Sequence, residues 1–366
     1  MDTSDLQYVL ALQHVPNLGD GSAKKLLRHF GSAREIFRQK KSSLLKIDGI
    51  GNFKLQNLSE TEHLKAAEKE LEFVERNGIT CLYYQDDDYP EKLKHCYDGP
   101  ILLFQRGKVE LKKKKIISLV GTRRASFSGV QFCRDFIEEL APLDPVIVSG
   151  FAYGIDITAQ KAAMDLGLQT IGCLAHGFNQ IYPREHYKYV KRVEDNGGFL
   201  TDFWSTDRFD RTNFLKRNRI IAGLSEATVV IESAEKGGSL VTADIANSYN
   251  REVFAVPGRP SDRQSAGCNT LIKQQNAHLL TSAADLVYIL NWKLEKATRP
   301  VQKQLFVELE QEEQQLYDFL KEKGREQLDL IALNCNIPTF KAASLLLNLE
   351  LKGVIRPLPG KLFELA

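Results

Sequence analysis

The chain has 366 residues and a net charge of +2, so it is too long for one ordinary domain, and its total charge does not indicate a nucleic-acid partner. Apolar residues make up 43% and charged residues 26%, as in ordinary globular proteins, and no apolar run approaches the roughly 18 residues that span a membrane. The acidic N-terminus lacks the positive region of a secretory signal, and the six cysteines are scattered without a Cys-x-x-Cys pair. We therefore expect a cytoplasmic protein with reduced thiols, no metal site and no membrane association.

The first predicted domain covers residues 1–60, where nine basic and six acidic residues give a charge of +3. Its short helices are separated by two glycine-containing turns, at residues 15–21 and 44–51. Both turns resemble the hairpin of tandem helix-hairpin-helix motifs, in which backbone N–H groups approach DNA phosphates. The alternative is a small helical bundle whose glycines only make turns.

Residues 61–112 are predicted to bridge to the core, with one charged helix over Glu62–Asn77 and one strand over Ile79–Tyr84. In residues 113–291, apolar runs of strand length alternate with helical segments, which is typical of a parallel sheet covered on both faces. We therefore predict an α/β core with a Rossmann-like, doubly wound parallel sheet. The predicted strands are Ile116–Val120, Val146–Ser149, Thr170–Leu174, Phe199–Asp202, Thr228–Glu232 and Val253–Val256. The predicted helices are about Ser128–Leu140, Ile155–Leu166, His186–Asn196, Asn218–Leu224, Ser239–Tyr249 and Asn269–Gln274.

Residues 292–304 are polar and contain a proline, which predicts a linker to a C-terminal domain, residues 305–366. Three helices followed by two short strands are typical of a winged helix. Its third helix, Thr339–Leu351, is the one that such domains place in a DNA groove. This helix is mostly apolar, and the domain has seven basic and ten acidic residues, a charge of −3. We therefore favour a protein contact or a packing role over DNA recognition, and expect any basic DNA-binding surface in the first two thirds of the chain.

Four turns beyond the carboxyl ends of the predicted strands are of functional interest, because ligands of open α/β sheets bind there. After the first strand, Arg123 and Arg124 replace the small residues of a dinucleotide-binding turn, and arginine offers paired donors to phosphate. After the second strand, Gly150 and Gly154 allow close backbone approach. Asp156 follows them at a helix start, where a structural capping role is expected.

A basic cluster at residues 211–219 is the most specific of these signals. Cations that follow a backbone, with one aromatic ring on which a base stacks, suit a single nucleic-acid strand. The alternative is an ordinary amphipathic helix start with the aromatic ring in the core. The candidate residues are Arg211, Asn213, Phe214, Lys216, Arg217, Asn218 and Arg219. In the fourth turn, Gly238 and Ser239 open a helix whose N-terminus can bind an anion.

These motifs, in this order, resemble those of the DprA/Smf family (DNA processing protein A), whose long members also carry similar flanking domains. The family's usual Asn-Phe-Pro reads Asn213-Phe214-Leu215 here, which makes that segment less rigid. The resemblance implies a single-stranded-DNA-binding protein without a cofactor, which protects incoming DNA, forms a homodimer through its core and loads the recombinase RecA in natural transformation. It implies strand contacts by Arg123 or Arg124, Arg211, Phe214 and Arg217, and a pocket shaped by Gly150, Asn218 and Arg219.

The alternative function is a nucleotide-handling hydrolase of the phosphoribohydrolase type that resembles lysine decarboxylases, on a similar sheet. In that class a catalytic glutamate follows the glycine-rich turn, but residues 237–244 read Gly-Gly-Ser-Leu-Val-Thr-Ala-Asp, with no glutamate in register. No spacing in the sequence indicates a Ser-His-Asp or Cys-His set, or a pair of acid–base carboxylates. We therefore expect a binding protein and not an enzyme.

Overall fold

The computed structural model describes residues 3–58, 60–112, 114–293, 309–358 and 361–365, and it divides into two compact units at residue 295. The chain begins with five helices: α1 (Thr3–His14), α2 (Gly19–Phe30), α3 (Ala33–Arg38), α4 (Lys41–Leu44) and α5 (Glu60–Arg76). Gly19 and Gly49, one in each predicted hairpin turn, adopt positive φ angles of 55° and 77°. Within the described residues 51–58, successive turns follow the second hairpin in place of a regular α-helix. Tandem helix-hairpin-helix motifs therefore remain a prediction.

The segment predicted as a bridge belongs to the main sheet. It contains β1 (Thr80–Tyr83), the short helix α6 (Glu91–Lys94) and β2 (Leu102–Gly107), of which α6 and β2 were not predicted. Both strands are antiparallel to their neighbours, because β1 pairs with β2, and β2 pairs with a core strand at Phe104–Gly107. The bridge is therefore corrected to a sheet edge, and the sheet is mixed rather than wholly parallel.

Seven parallel strands form the rest of the sheet: β3 (Ile116–Val120), β4 (Val146–Ser149), β5 (Thr170–Cys173), β6 (Gly197–Thr201), β7 (Ala227–Val230), β8 (Glu252–Ala255) and β9 (His278–Leu279). The order across the sheet is β1-β2-β6-β5-β4-β3-β7-β8-β9. From β3 the chain moves outward to β6, then returns to the other side of β3 with β7. The direction of winding therefore reverses between β3 and β7, which is where ligands of doubly wound sheets bind.

Helices cover both faces of this sheet: α7 (Phe127–Leu140), α8 (Ile155–Asp165), α9 (Val190–Asp195), α10 (Thr212–Leu224), α11 (Gly238–Ser248), α12 (Ala266–Lys273) and α13 (Ala283–Ile289). Side chains alternate along β3, so that Ile117 and Leu119 pack with α7 and α8, whereas Ile116 and Val120 pack with α10, α11 and the N-terminal helices.

Among the core helices, α13 was not predicted, α12 begins three residues before its predicted start, and two further helices differ in extent. The segment predicted as one helix over His186–Asn196 is a 3₁₀ helix, Arg184–Tyr189, followed by α9. The helix predicted to begin at Asn218 begins at Thr212 instead. Asp210 stabilises this start, because its carboxylate accepts hydrogen bonds from the Thr212 backbone N–H at 2.7 Å and from the Thr212 hydroxyl at 2.6 Å.

The second unit contains α14 (Gln311–Lys323), β10 (Arg325–Gln327), α15 (Leu328–Asn334), α16 (Thr339–Leu351), β11 (Ile355–Leu358) and β12 (Leu362–Leu365). The three strands form an antiparallel sheet in the order β10-β12-β11, and β10 was not predicted. Residues 294–304 of the predicted linker lie outside the described residues. In the described part of the chain, no single helix is long and apolar enough to cross a membrane; Leu328–Asn334 and Thr339–Glu350 pass that test only as a pair bent by 108°.

Two histidines join α1 to α5. The Nδ1 atoms of His14 and His63 are 2.8 Å apart, and Nε2 of His63 is 2.7 Å from the carbonyl oxygen of Asn57. Because a carbonyl only accepts, Nε2 of His63 carries a hydrogen, and in the neutral pair His14 donates from Nδ1 to Nδ1 of His63. Burial lowers the pKa of His14, and the neighbouring His63 lowers it further.

Acid is therefore expected to destabilise the fold through this pair. As the pH falls through about 6.5, the unfolded chain takes up protons that native His14 does not, so the free energy of unfolding decreases. His14→Gln should make this decrease smaller, whereas His95→Gln, which changes a ring that is 70% exposed, should not. Urea unfolding at about pH 7.5 and about pH 5.5 measures both effects. An unchanged pH dependence in His14→Gln would contradict the assignment.

Candidate functional site

A cavity of about 470 Å³, the switch-point cavity, opens between β3 and β7. The turns after β3, β4 and β7 and the first turns of α10 line it. The four segments singled out in the sequence therefore meet at one place, because the carboxyl ends of neighbouring parallel strands share one edge of the sheet. The predicted site residues that line the cavity are Arg123, Arg124, Arg211, Phe214, Arg217, Asn218, Gly238 and Ser239.

Exposed cations surround the switch-point cavity: Arg123, Arg124, Arg211 and Lys236. Lys236 was not among the predicted site residues, although it directly precedes the two glycines of the fourth turn. Among the described residues that line the cavity, Asp156 is the one acidic side chain, and it is buried. The mouth of the cavity is therefore positive and suits a polyanion.

Two guanidinium groups lie near the ring of Phe214. The Arg123 guanidinium is 4.8 Å from the centre of its ring, and that of Arg217 is 5.9 Å away. The ring is half-buried and lines the switch-point cavity, so it is not wholly enclosed in the core. Cation–π contacts of this kind contribute about 0.5–2 kcal/mol and hold the ring where a base can stack on it.

Arg217 lies beneath the cavity. It is 4% exposed, and its Nη1 donates to the carbonyl oxygen of Gly150 at 2.7 Å and to that of Cys173, at the ends of β4 and β5. Burial lowers the pKa of Arg217 and raises that of Asp156, and each charge opposes the shift of the other. The side chain therefore supports the floor of the cavity, and its contact with a strand, which the resemblance implies, stays a prediction.

The glycines after β4 explain how the turns fit together. A Cβ atom on Gly150 would lie 2.5 Å from both Arg217 Nη2 and Asp156 Oδ2, so only glycine leaves room for these groups. Gly154 has a φ of 76° and lies against the backbone of Thr122, to whose oxygen the Ile155 N–H donates at 3.2 Å. Neither glycine lines the cavity, but both allow the close packing of the turns that form it.

Arg219 is directed away from the cavity, so its predicted role in shaping the pocket is wrong. It donates to Asp20 of α2 at 3.1 Å, to Asp202 after β6 and to the carbonyl oxygen of Asp98. Although burial opposes its charge, the carboxylates of Asp202 and Asp20 raise the pKa of Arg219 above its ordinary value. The side chain therefore ties the N-terminal helices to the core.

Two further residues of the predicted cluster also lie outside the switch-point cavity. Lys216 is exposed on α10, and buried Asn213 donates to the carbonyl oxygen of Arg208 at 3.2 Å. The helical repeat explains this separation, because residues three and four apart share a face. On α10, that shared face carries Phe214, Arg217, Asn218 and Ile221.

Two helix N-termini flank the switch point, and they differ. At α7, the Ser126 side chain accepts from the Gly129 N–H at 3.0 Å. The buried Glu232 carboxylate accepts from the Ser126 N–H at 2.8 Å and from the Ser126 hydroxyl. A dinucleotide pyrophosphate lies at this position in a Rossmann fold, so here the protein's own carboxylate occupies it.

At α11, in contrast, no side chain among the described residues caps the N-terminus, which begins at Gly238 in the wall of the switch-point cavity. The Asn218 amide donates to the Gly238 carbonyl oxygen at 3.4 Å, and the Ser239 hydroxyl donates to Ser233 at 2.9 Å. The free amides of α11 therefore face the same space as the exposed cations. The described residues contain no group of three or more His, Cys, Asp or Glu side chains that could hold a metal ion.

Two family models match the chain. The family model for DNA recombination-mediator protein A matches residues 80–291, and that for the DprA winged helix domain matches residues 301–361. The chain belongs to the DprA/Smf family. The first match begins at β1, so the family domain includes the two antiparallel edge strands, and the second agrees with the predicted winged helix.

Alignments with related proteins cover most of the chain. It is 31% identical to the putative DNA processing protein DprA of Mycobacterium tuberculosis over 326 residues, 85% of this chain and 84% of that one. It is 33% identical to the protein Smf of Escherichia coli over 300 residues, 81% of this chain and 80% of that one.

Two solved structures are similar. DNA processing protein A of Streptococcus pneumoniae aligns with a TM-score of 0.64 at 30% identity, covering 77% of this chain and 95% of that one. DNA processing protein A of Helicobacter pylori, whose structure concerns its mode of single-stranded DNA binding, aligns with a TM-score of 0.52 at 27% identity, covering 58% and 95%.

Arg219→Ala is expected to lower the free energy of unfolding by about 3 kcal/mol, because it leaves two partly buried carboxylates without their cation. Lys216→Ala, three positions earlier on the same helix, is the matched control and should change it by less than about 0.5 kcal/mol. Urea unfolding followed by circular dichroism compares the two variants. Equal stabilities would show that Arg219 does not tie the N-terminal helices to the core.

Proposed function

We propose that this protein binds single-stranded DNA in the switch-point cavity. The observation that carries the proposal is the meeting of four exposed cations with a partly exposed aromatic ring beside an uncapped helix N-terminus. Phosphates bind the cations and the amides of α11, and a base stacks on Phe214. The single-stranded DNA binding of the Helicobacter pylori relative supports the same assignment.

Binding fits the cavity better than catalysis. The hydrolase alternative needs a glutamate after the glycine-rich turn, and the chain has Asp244 there, which is exposed and does not line the switch-point cavity. The carboxylate of Glu232 is held by Ser126, and buried Asp156 lies at the start of α8 between the β4 turn and Arg217. Among the described residues that line the cavity, Asp156 is the one carboxylate, so the lining holds no pair of carboxylates for acid–base catalysis.

The binding is expected to weaken steeply with salt. With about four phosphate contacts, the logarithm of the affinity for oligo-dT should fall with the logarithm of the salt concentration with a slope of about −3. Arg211→Ala should make the slope less steep by about 0.7, whereas Lys273→Ala, which removes an exposed cation outside the cavity, should leave it unchanged. Fluorescence anisotropy across a salt series measures these slopes. A flat response in the unaltered protein would refute the proposal.

Family membership supports a wider role, in which a homodimer formed through the core protects incoming DNA and delivers it to the recombinase RecA in the cytoplasm. Addition of the protein to single-stranded DNA should then speed the formation of RecA filaments, and Arg211→Ala should reduce this effect. A gel-shift series with and without RecA tests the delivery. A result in which DNA is bound but RecA assembly is unchanged would refute the delivery and leave the binding intact.

A further inference from the structure

A second cavity, the flanking cavity, measures about 1070 Å³, more than twice the volume of about 470 Å³ at the switch point. The loop after β5, the 3₁₀ helix Arg184–Tyr189, α9 and Phe209 enclose it. Among the described residues, the two cavities have no lining residue in common. The residues predicted from the sequence to bind DNA do not line this cavity.

Three aromatic rings, the aromatic wall, separate the two cavities. Tyr182 and Phe209 line the flanking cavity, with ring centres 4.8 Å apart. Each of these rings lies 5.7 Å from the ring of Phe214, which lines the switch-point cavity. A strand whose base stacks on Phe214 therefore meets Tyr182 and Phe209 next.

The flanking cavity offers the same chemistry as the switch-point cavity. Two of its rings are well exposed, with Tyr187 at 72% and Phe209 at 40%. Arg184 adds an exposed cation. The carboxylate of Glu194 is 2.7 Å from the Arg106 guanidinium, so the acid in the lining is already neutralised. Exposed rings beside cations form the surface on which single strands bind.

Hydrogen bonds to a buried histidine fix the loop that carries Tyr182. Nε2 of buried His176 accepts from the Tyr182 backbone N–H at 3.2 Å, while Nδ1 lies 2.9 Å from the carbonyl oxygen of Gly177. The Thr201 hydroxyl, at the end of β6, donates to the carbonyl oxygen of His176 at 3.0 Å. Ligand binding therefore does not need to order this side of the wall, which lowers its entropic cost.

We propose that the DNA strand in the switch-point cavity crosses the aromatic wall and places a further nucleobase in the flanking cavity. The base stacks on the exposed rings of Phe209 and Tyr187, and Arg184 binds a neighbouring phosphate. This inference rests on the proposed function, because it extends the same strand. A free nucleotide has the same chemistry and is the other possible source of the base.

The test compares oligo-dT of about 4 nucleotides, which fills the switch-point cavity alone, with oligo-dT of about 12 nucleotides. Tyr187→Ala should weaken binding of the longer strand by about 5- to 150-fold, the loss expected for one base–aromatic stack, and leave the shorter strand unaffected. Arg184→Ala should make the salt slope of the longer strand less steep by about 0.7. Tyr288→Ala is the matched control, because this tyrosine is 86% exposed on α13 and lines neither cavity.

Three results would overturn the inference. The first is equal binding of the longer strand by Tyr187→Ala and Tyr288→Ala, and the second is an equal loss for both strand lengths in Tyr187→Ala. The third is binding of thymidine monophosphate that Tyr187→Ala abolishes while oligo-dT binding stays unchanged, which identifies a free-nucleotide site. Failure of the unaltered protein to bind either strand would instead refute the proposed function.

Discussion

A buried guanidinium holds the site together. Arg217 reaches from α10 to the carbonyl oxygens at the ends of β4 and β5, and Phe214 lies over it on the same helix. Desolvating a cation costs several kcal/mol unless it is paired, so α10 cannot shift along the sheet without losing these bonds. The helix, two strand ends and the aromatic ring are therefore one rigid frame. The exposed arginines project from this frame, so the cavity does not need to form around its ligand.

Apolar strand-length runs were enough to predict the six strands from β3 to β8, because a sheet buried on both faces leaves a clear pattern. The strands β9 and β10 were missed, since two or three residues leave little pattern to detect. The six-residue strand β2 was also missed, because it is fully buried only over its first half. In the site, the residue types of the four turns predicted that these turns meet. They did not predict which cations are exposed in the cavity and which are held in contacts elsewhere. Because α10 begins at Thr212, both Arg217 and Arg219 lie within the helix and project from different faces of it. The partners of Arg219 include Asp20, which is far away in the sequence.

The three segments into which the sequence divides residues 1–291 are physically one unit. The N-terminal helices share a continuous apolar core with one face of the sheet, and β1 and β2 extend the sheet itself. Arg219 adds partly buried ion pairs that connect α2 with the end of β6. Composition and turn signals mark changes of secondary structure, and they do not show whether the apolar faces on either side of a boundary pack together.

The carboxylate of Glu232 at the N-terminus of α7 has a consequence for selectivity. A cell contains abundant free nucleotides, whose phosphates seek the same helix N-terminus in many proteins with this type of sheet. Here such a molecule must first displace a buried acid from its hydrogen bonds with Ser126, and it must do so against the charge of that acid. The N-terminus of α7 is therefore occupied by the protein's own carboxylate, whereas the neighbouring N-terminus of α11 has no side-chain cap.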